Sequence, residues 1–302
     1  MSDRPIVVVG SLNMDIVLSV PRMPATGETI QARSVLHVPG GKGANQAVGL
    51  ARLGARSVMI GAVGEDGYGR AILERMRSFG VETDAIRTVR DVPTGTAHIL
   101  LTPEDNSIII AAGANARVLP EDPARHARLL AQAKVVLAQL EIPEQTVLEA
   151  FRLARDAGAR TILNPAPARP LPDELLRLTD ILTPNETELA LLSGRGIGTE
   201  EELERVVRDW QDAYGHTVLV TRGSKGCAYL EEGRLRTVAP LKVPVVDTTG
   251  AGDAFNAAVA YGLFREWPLA ETVRFAVKAS SLSVRKLGAQ DGMPVLEEVL
   301  NA

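Results

Sequence analysis

The stretch Asp247-Thr248-Thr249-Gly250-Ala251-Gly252-Asp253-Ala254-Phe255 carries the plainest chemical signal in the chain. It follows a β-rich run and opens a series of small residues (Ala254, Ala257, Ala258) suited to a closely packed helix. Gly250 and Gly252 let backbone approach a ligand. The N–H groups of a first helical turn have no partner within the helix. With the helix dipole they form an anion site suited to a phosphoryl group in transfer. Asp253 stands in that turn, where a carboxylate is ionised at pH 7 and can take a proton from an attacking hydroxyl. A second reading stands beside this one: Asp253 only caps a helix and the glycines only make a turn.

Four further stretches have the same double character. Gly40-Gly41-Lys42-Gly43-Ala44-Asn45-Gln46 places three glycines before a helix, with Lys42 and Asn45 able to bond hydroxyls. It lacks the spacing of a Walker A loop, and none occurs in the chain. Asn13 and Asp15, two apart on an extended segment, point the same way and offer donors and acceptors to a polyhydroxylated ligand, or form an Asx turn. Asn185 and Glu188 lie three apart at a helix start, fit either for hydrated Mg²⁺ near a nucleotide or for a common acidic first turn. Thr221-Arg222-Gly223-Ser224-Lys225-Gly226 follows a strand, as ligand loops do in parallel sheets, or makes a simple β-turn.

The elements that must hold these residues alternate. Strands are expected at Ile6–Val9, Ser57–Ile60, Val135–Ala138, Thr161–Leu163, Ile181–Leu182 and Thr217–Val220. Helices are expected at 44–53, 69–79, 144–157, 172–178, 185–193, 251–265 and 269–286. That order implies an α/β fold with a mostly parallel sheet flanked by helices. Residues 12–38 and 86–111 break the rhythm with strands (Ile16–Val20, Thr29–Val38, Ile86–Val89, Thr96–Thr102, Ile108–Ala111) that lack helices between them. They read as a small β-sheet projecting from the body and covering a ligand or a partner subunit. No repeat or linker divides the 302 residues, so a single domain over 1–302 is expected.

Composition removes several classes. The net charge of -4 leaves no basic footprint for nucleic acid. The single Cys227 forms no disulfide within one chain and suits a reducing cytoplasm. His37, His98, His126 and His216 are scattered and suggest no zinc site. No basic and apolar leader is read at the N-terminus, and no apolar run is long enough for a membrane span.

Taken in order, these stretches resemble the ribokinase-like, or phosphofructokinase-B, carbohydrate kinase family over essentially the whole chain. The resemblance rests on Gly10-Ser11-Leu12-Asn13-Met14-Asp15, on Gly40 to Ala47 and on Ala112-Gly113-Ala114-Asn115. It rests equally on Asn164-Pro165-Ala166-Pro167-Ala168, on Thr183 to Glu188 and on Gly288-Ala289-Gln290. Each is modest alone; the ordered set is specific. The nearest likeness within the family is to its ribose-phosphorylating members.

The resemblance implies a central sheet with a small β-sheet lid and ATP-dependent phosphorylation of D-ribose at its 5-hydroxyl. It implies a sugar site of Asn13, Asp15, Gly41, Lys42, Asn45 and Glu141, with Asp253 as base and Gly250, Ala251 and Gly252 as anion hole. Nucleotide contacts fall on Asn185, Thr221, Gly223, Ser224, Gly226 and Gly252. Glu188 organises Mg²⁺ through water. Asp247 and Thr249, with backbone near Ser283, Lys286 and Gly288, match a K⁺ site. Gly292 departs from the serine often found there and weakens that site. The lid implies a homodimer. Kinases of deoxyribose, fructose, a ketodeoxy sugar acid or a nucleoside share the fold, and a non-catalytic sugar or nucleotide sensor is the alternative outside enzymes. Aromatic residues at 4% disfavour a nucleoside platform.

Overall fold

A computed structural model describes residues 4–104 and 106–302. In chain order the strands are β1 (Ile6–Val9), β2 (Asn13–Ser19), β3 (Ser34–Gly40), β4 (Ser57–Gly64), β5 (Ile86–Val89), β6 (Gly95–Leu101) and β7 (Asn106–Ala111). There follow β8 (Val135–Gln139), β9 (Arg160–Asn164), β10 (Ile181–Leu182), β11 (Thr217–Val218), β12 (Val220–Thr221), β13 (Cys227–Glu231) and β14 (Arg234–Val238). The central sheet runs β11-β10-β9-β8-β1-β4-β5, and every pairing in it is parallel.

β1 shows why its sequence is an unbroken β-branched run. Ile6 and Val8 join one hydrophobic core and Val7 and Val9 the other, so alternate side chains enter opposite, equally buried faces. The helices Lys42–Arg52, Ala251–Phe264 and Leu269–Ser283 contribute to the first core, and Glu144–Asp156 to the second. The small residues of Ala251–Phe264 have a specific use. A Cβ on Gly49 would lie 2.8 Å from the Ala257 Cβ, so this helix and Lys42–Arg52 approach closely. That approach brings residues 45 and 46 against Asp253.

A four-stranded sheet of order β3-β2-β6-β7 projects from the body, and a three-stranded one of order β12-β13-β14 borders the other edge. Three expectations need correction. Ile86–Val89 does not belong to the projecting sheet; it pairs with Gly61–Gly64 as the edge of the central sheet. Edge strands are short and carry polar residues such as Arg87 and Thr88, the same pattern that marks a lid strand. Thr217–Val220 is not one strand either. The chain passes from β11 in the central sheet to β12 in the small one, with Leu219 between them. All of Val218, Leu219 and Val220 are fully buried, so the apolar run hides the change of sheet. The Leu269–Ser283 helix stops three residues before the expected Lys286. Asp105, in the expected lid segment, lies outside the described residues.

Candidate active site

The residues singled out in the sequence collect at the C-terminal edge of the central sheet, where open α/β sheets bind ligands. Asp253 is the third residue of the Ala251–Phe264 helix and is 7% exposed. The Asn45 side chain donates to Asp253 Oδ2 at 2.9 Å and the Gln46 side chain to Oδ1 at 3.0 Å. Gln46 is itself fixed: its Nε2 also reaches Asn164 Oδ1 at 3.2 Å and its Oε1 accepts from Gln139 Nε2. Asn45 Oδ1 accepts from Gln290 Nε2 at 3.3 Å. The carboxylate is thus held from behind by a buried chain of amides.

Three further carboxylates and one cation surround it. Burial pushes the Asp253 carboxyl above its ordinary value; Lys42, Asn45 and Gln46 pull the other way, and Glu141 adds to the rise. Burial, then the charges of Glu141 and Asp253, push Asp15 up to about 7 against the pull of Lys42. Burial pulls the Lys42 ammonium down, but Asp253, Glu141, Glu188 and Asp15 outweigh it and its value ends above the ordinary one. Lys42 is therefore charged, and it is the positive centre of an acidic site.

The backbone is shaped around these groups. Gly41 has φ 90° and lies against β2: a Cβ there would stand 2.7 Å from the Asn13 N atom. Asn13 is buried, and its Oδ1 accepts from Asn115 Nδ2 at 2.7 Å. Asn115 also exchanges bonds with the Leu12 backbone, at 2.9 and 3.1 Å. Glu141 Oε2 accepts from Ser11 Oγ and from the Lys42 N–H.

At the other side of Asp253, Gly250 takes φ 80° and Gly252 faces open space. The Ala251 N–H is already given to the Thr248 carbonyl at 3.2 Å. The turn consumes that donor, one of the three in the expected anion hole of Gly250, Ala251 and Gly252. A cavity of about 160 Å³ is lined by Lys42, Asn164, Asn185, Glu188 and the Gly250–Asp253 turn, among others. A larger groove, about 830 Å³, meets it at Thr221, Thr248, Ala251 and Gly252. Thr221, Gly223, Ser224 and Gly226 form one wall of the groove; Leu241, Val243, Phe255, Val277 and Val284 line it too.

Asn185 and Glu188 form a capping box for the Glu186–Ser193 helix, with Asn185 Oδ1 accepting from the Glu188 N–H and Glu188 Oε2 from the Asn185 N–H. Both still line the small cavity. Asp247 bonds the N–H of Thr249 at 2.9 Å and that of Gly288 at 2.8 Å, drawing those segments together. A Cβ on Gly292 would lie 2.5 Å from the Ser283 carbonyl oxygen and 3.8 Å from that of Lys286, so those two oxygens converge over it. Among the described residues no cluster of three or more His, Cys, Asp or Glu side chains stands ready for a metal.

The sequence reading missed Gln46, Gln139 and the wall residues 240–245 as site components. Gln46 and Asn115 lay inside quoted motifs, and their roles depend on which elements pack against them. The profile of pfkB family carbohydrate kinases matches residues 3–296. The chain belongs to that family. This kinase is 42% identical to the ribokinase of Bacillus subtilis over 296 residues, 98% of either chain. It is 33% identical to the deoxyribokinase of Salmonella typhi over 295 residues, 97% of this chain and 96% of the other. Its fold superposes on Arabidopsis thaliana ribokinase, solved with ribose and ATP, with a TM-score of 0.92. The two are 39% identical, and the match covers 99% of this chain and 98% of the other. The order of strands in the central sheet and the small projecting sheet accord with that likeness.

Proposed function

We propose that this kinase transfers the γ-phosphoryl group of ATP to the 5-hydroxyl of D-ribose, giving ribose 5-phosphate and ADP, with Asp253 as the general base. The observation that carries the reading is the position of Asp253: it lines the small polar cavity and follows Gly252, where that cavity meets the larger groove. The Asp15, Lys42 and Glu141 groups near Asp253, with Asn13 on the same strand as Asp15, suit a sugar, and the small cavity with Asn185 and Glu188 suits the phosphoryl group. The groove suits a nucleotide, whose phosphates then end at the Gly250–Asp253 turn. The hydroxyl gives its proton to Asp253, and its oxygen attacks phosphorus in line with the leaving ADP oxygen. The N–H groups of Gly250, Gly252 and Asp253, with the Lys42 ammonium, meet the charge on the phosphoryl oxygens.

Glu188 fits a hydrated Mg²⁺: one carboxylate beside the phosphates is what this ion takes from a protein. Glu188 would hold that ion through water, and the ion would supply charge neutralisation beside the phosphates. The oxygen-only set of Asp247, Thr249 and the Ser283, Lys286 and Gly288 backbone suits K⁺, whose charge supports the Gly250–Asp253 turn. Gly292 adds no ligand to that set.

The four-stranded sheet carries Asn13 and Asp15 and acts as the lid, excluding water on closure. Its exposed Val35, Leu36, Ile108, Ile109 and Ile110 support a homodimer through the lid. No helix among the described residues is long and apolar enough to cross a membrane. The single buried Cys227 supports a cytoplasmic setting. The likeness to a deoxyribokinase makes deoxyribose the rival substrate. Asn13 and Asp15 favour a fully hydroxylated sugar, because a missing hydroxyl leaves site groups unpaired.

ADP release from ATP and Mg²⁺ with a panel of sugars and nucleosides, in K⁺ and in Na⁺, tests the reading. Highest kcat/KM with ribose, raised by K⁺, is expected. Preference for another acceptor overturns the assigned sugar, and ligand binding without ADP formation indicates a sensor.

A further inference from the structure

Arg222 lies within the Thr221–Gly226 loop, yet it is absent from the groove wall that its neighbours Thr221, Gly223, Ser224 and Gly226 make. Its side chain is only 5% exposed. Nε donates to Glu186 Oε1 at 2.9 Å, while Nη1 and Nη2 take both oxygens of Glu200, at 3.0 and 2.5 Å. Glu186 is the first residue of the Glu186–Ser193 helix, next to Asn185, and Glu200 the first of Glu200–Tyr214. One guanidinium therefore ties the loop to two helix starts.

The loop itself is a tight turn built on Gly223–Lys225. Gly223 and Gly226 take φ 54° and 85°, and Ser224 and Lys225 are exposed. Its backbone bonds run from the Thr221 N–H to the Pro184 carbonyl at 2.9 Å, from the Arg222 N–H to the Gly226 carbonyl at 2.8 Å, and from the Lys225 and Gly226 N–H groups to the Arg222 and Gly223 carbonyls, both at 3.0 Å. Those bonds fix the loop's shape and a backbone bridge joins Thr221 to Asn185; the Arg222 side chain adds the tie to Glu186 and Glu200. A planar, five-donor fork can serve two carboxylates at once; an ammonium on a flexible stem cannot hold both in the same geometry.

We infer that Arg222 is a positioning residue for the nucleotide, acting through the loop and the Asn185 start rather than by touching the nucleotide. The inference rests on the reading of the large groove as the nucleotide site. Steady-state kinetics of Arg222→Met, Arg222→Lys and Glu200→Gln, each with ATP and ribose varied, test it. Loss of a buried, bidentate ion pair is expected to raise the KM for ATP about tenfold or more in Arg222→Met. kcat at saturating ATP and the KM for ribose stay near wild type. Arg222→Lys shifts in the same direction, and Glu200→Gln shifts less.

A purely structural role would lower the melting temperature of these variants without separating the two KM values. An unchanged KM for ATP in folded Arg222→Met, or a parallel rise in both KM values, overturns the inference. If Arg222→Met does not fold, an unchanged KM for ATP in both Arg222→Lys and Glu200→Gln overturns it instead. Val243→Trp, which fills the groove from its half-buried wall, separates the two levels of the argument. If that variant leaves the KM for ATP untouched, the groove reading itself has failed and the inference with it. If it abolishes ATP use while the Arg222 variants behave as wild type, only the inference has failed.

Discussion

Gln46 offers a sharp test of how the base is prepared. Its amide is fully buried and is committed on both sides, to Gln139 and to Asp253 with Asn164. Gln46→Leu keeps most of the volume and removes the donor to Asp253 Oδ1. A hydrogen bond to a charged group contributes about 1.5–3 kcal/mol. At 1.36 kcal/mol per pKa unit, its loss raises the Asp253 carboxyl by about one to two units. Burial already holds that carboxyl above its ordinary value, so the shift adds in the same direction. The acid limb of the kcat/KM profile then moves to higher pH. On that acid limb turnover falls about tenfold or more, and the deficit narrows as the medium becomes alkaline. The assay is a pH–rate profile of both proteins, with a melting curve to show that the variant folds. A deficit that is constant across pH would mean that Gln46 only packs, and would refute the account of Asp253 as a base tuned by its amides.

Other outcomes follow from the same geometry. Asp15, pushed up to about 7, binds its proton more tightly folded than unfolded. The stability it contributes is full below the unfolded carboxylate value and is lost as pH rises through about 7. Sugar hydroxyls donate to the ionised form, so ribose binding should weaken as pH falls below that value and release protons near it; calorimetry in two buffers of different ionisation enthalpy reads this. Gly40→Ala would place a Cβ 2.2 Å from Asp15 Oδ2. The carboxylate must move, and the KM for ribose should rise about tenfold while that for ATP stays, as expected of overpacking that costs 1–3 kcal/mol. Replacing K⁺ by Na⁺ should lower kcat, and the response should be weaker than in a Gly292→Ser variant only if the backbone can shift to relieve its contact with the Ser283 carbonyl.

The fold was legible where local pattern and global role agree. β1 is buried on both faces and reads as a continuous apolar strand, and the Gly250–Asp253 turn reads directly as a helix start. Ile86–Val89 misled because an edge strand of the main sheet and a strand of the lid share the same short, mixed pattern. Val218 to Val220 misled because a buried crossing between two sheets keeps the apolar run intact. At the site, residue types such as Asp253, Lys42 and Asp15 announce charge chemistry by themselves. Gln46 does not; its role comes from the close approach of two helices at Gly49 and Ala257. Pro240 to Val245 becomes a groove wall only together with Val277 and Val284. Thr221 to Gly226 reads as a ligand loop or a β-turn, and the place of Arg222 emerges only when Glu186 and Glu200 arrive from other elements.

The central claim is that Asp253 takes the proton of the attacking hydroxyl. Asp253→Asn, assayed for ribose 5-phosphate formation and for binding of ribose and of ADP with Mg²⁺, tests it most directly. The account predicts binding close to wild type and turnover lowered about 10²–10⁴-fold, the usual worth of a general base. Near-normal turnover in that variant would contradict it.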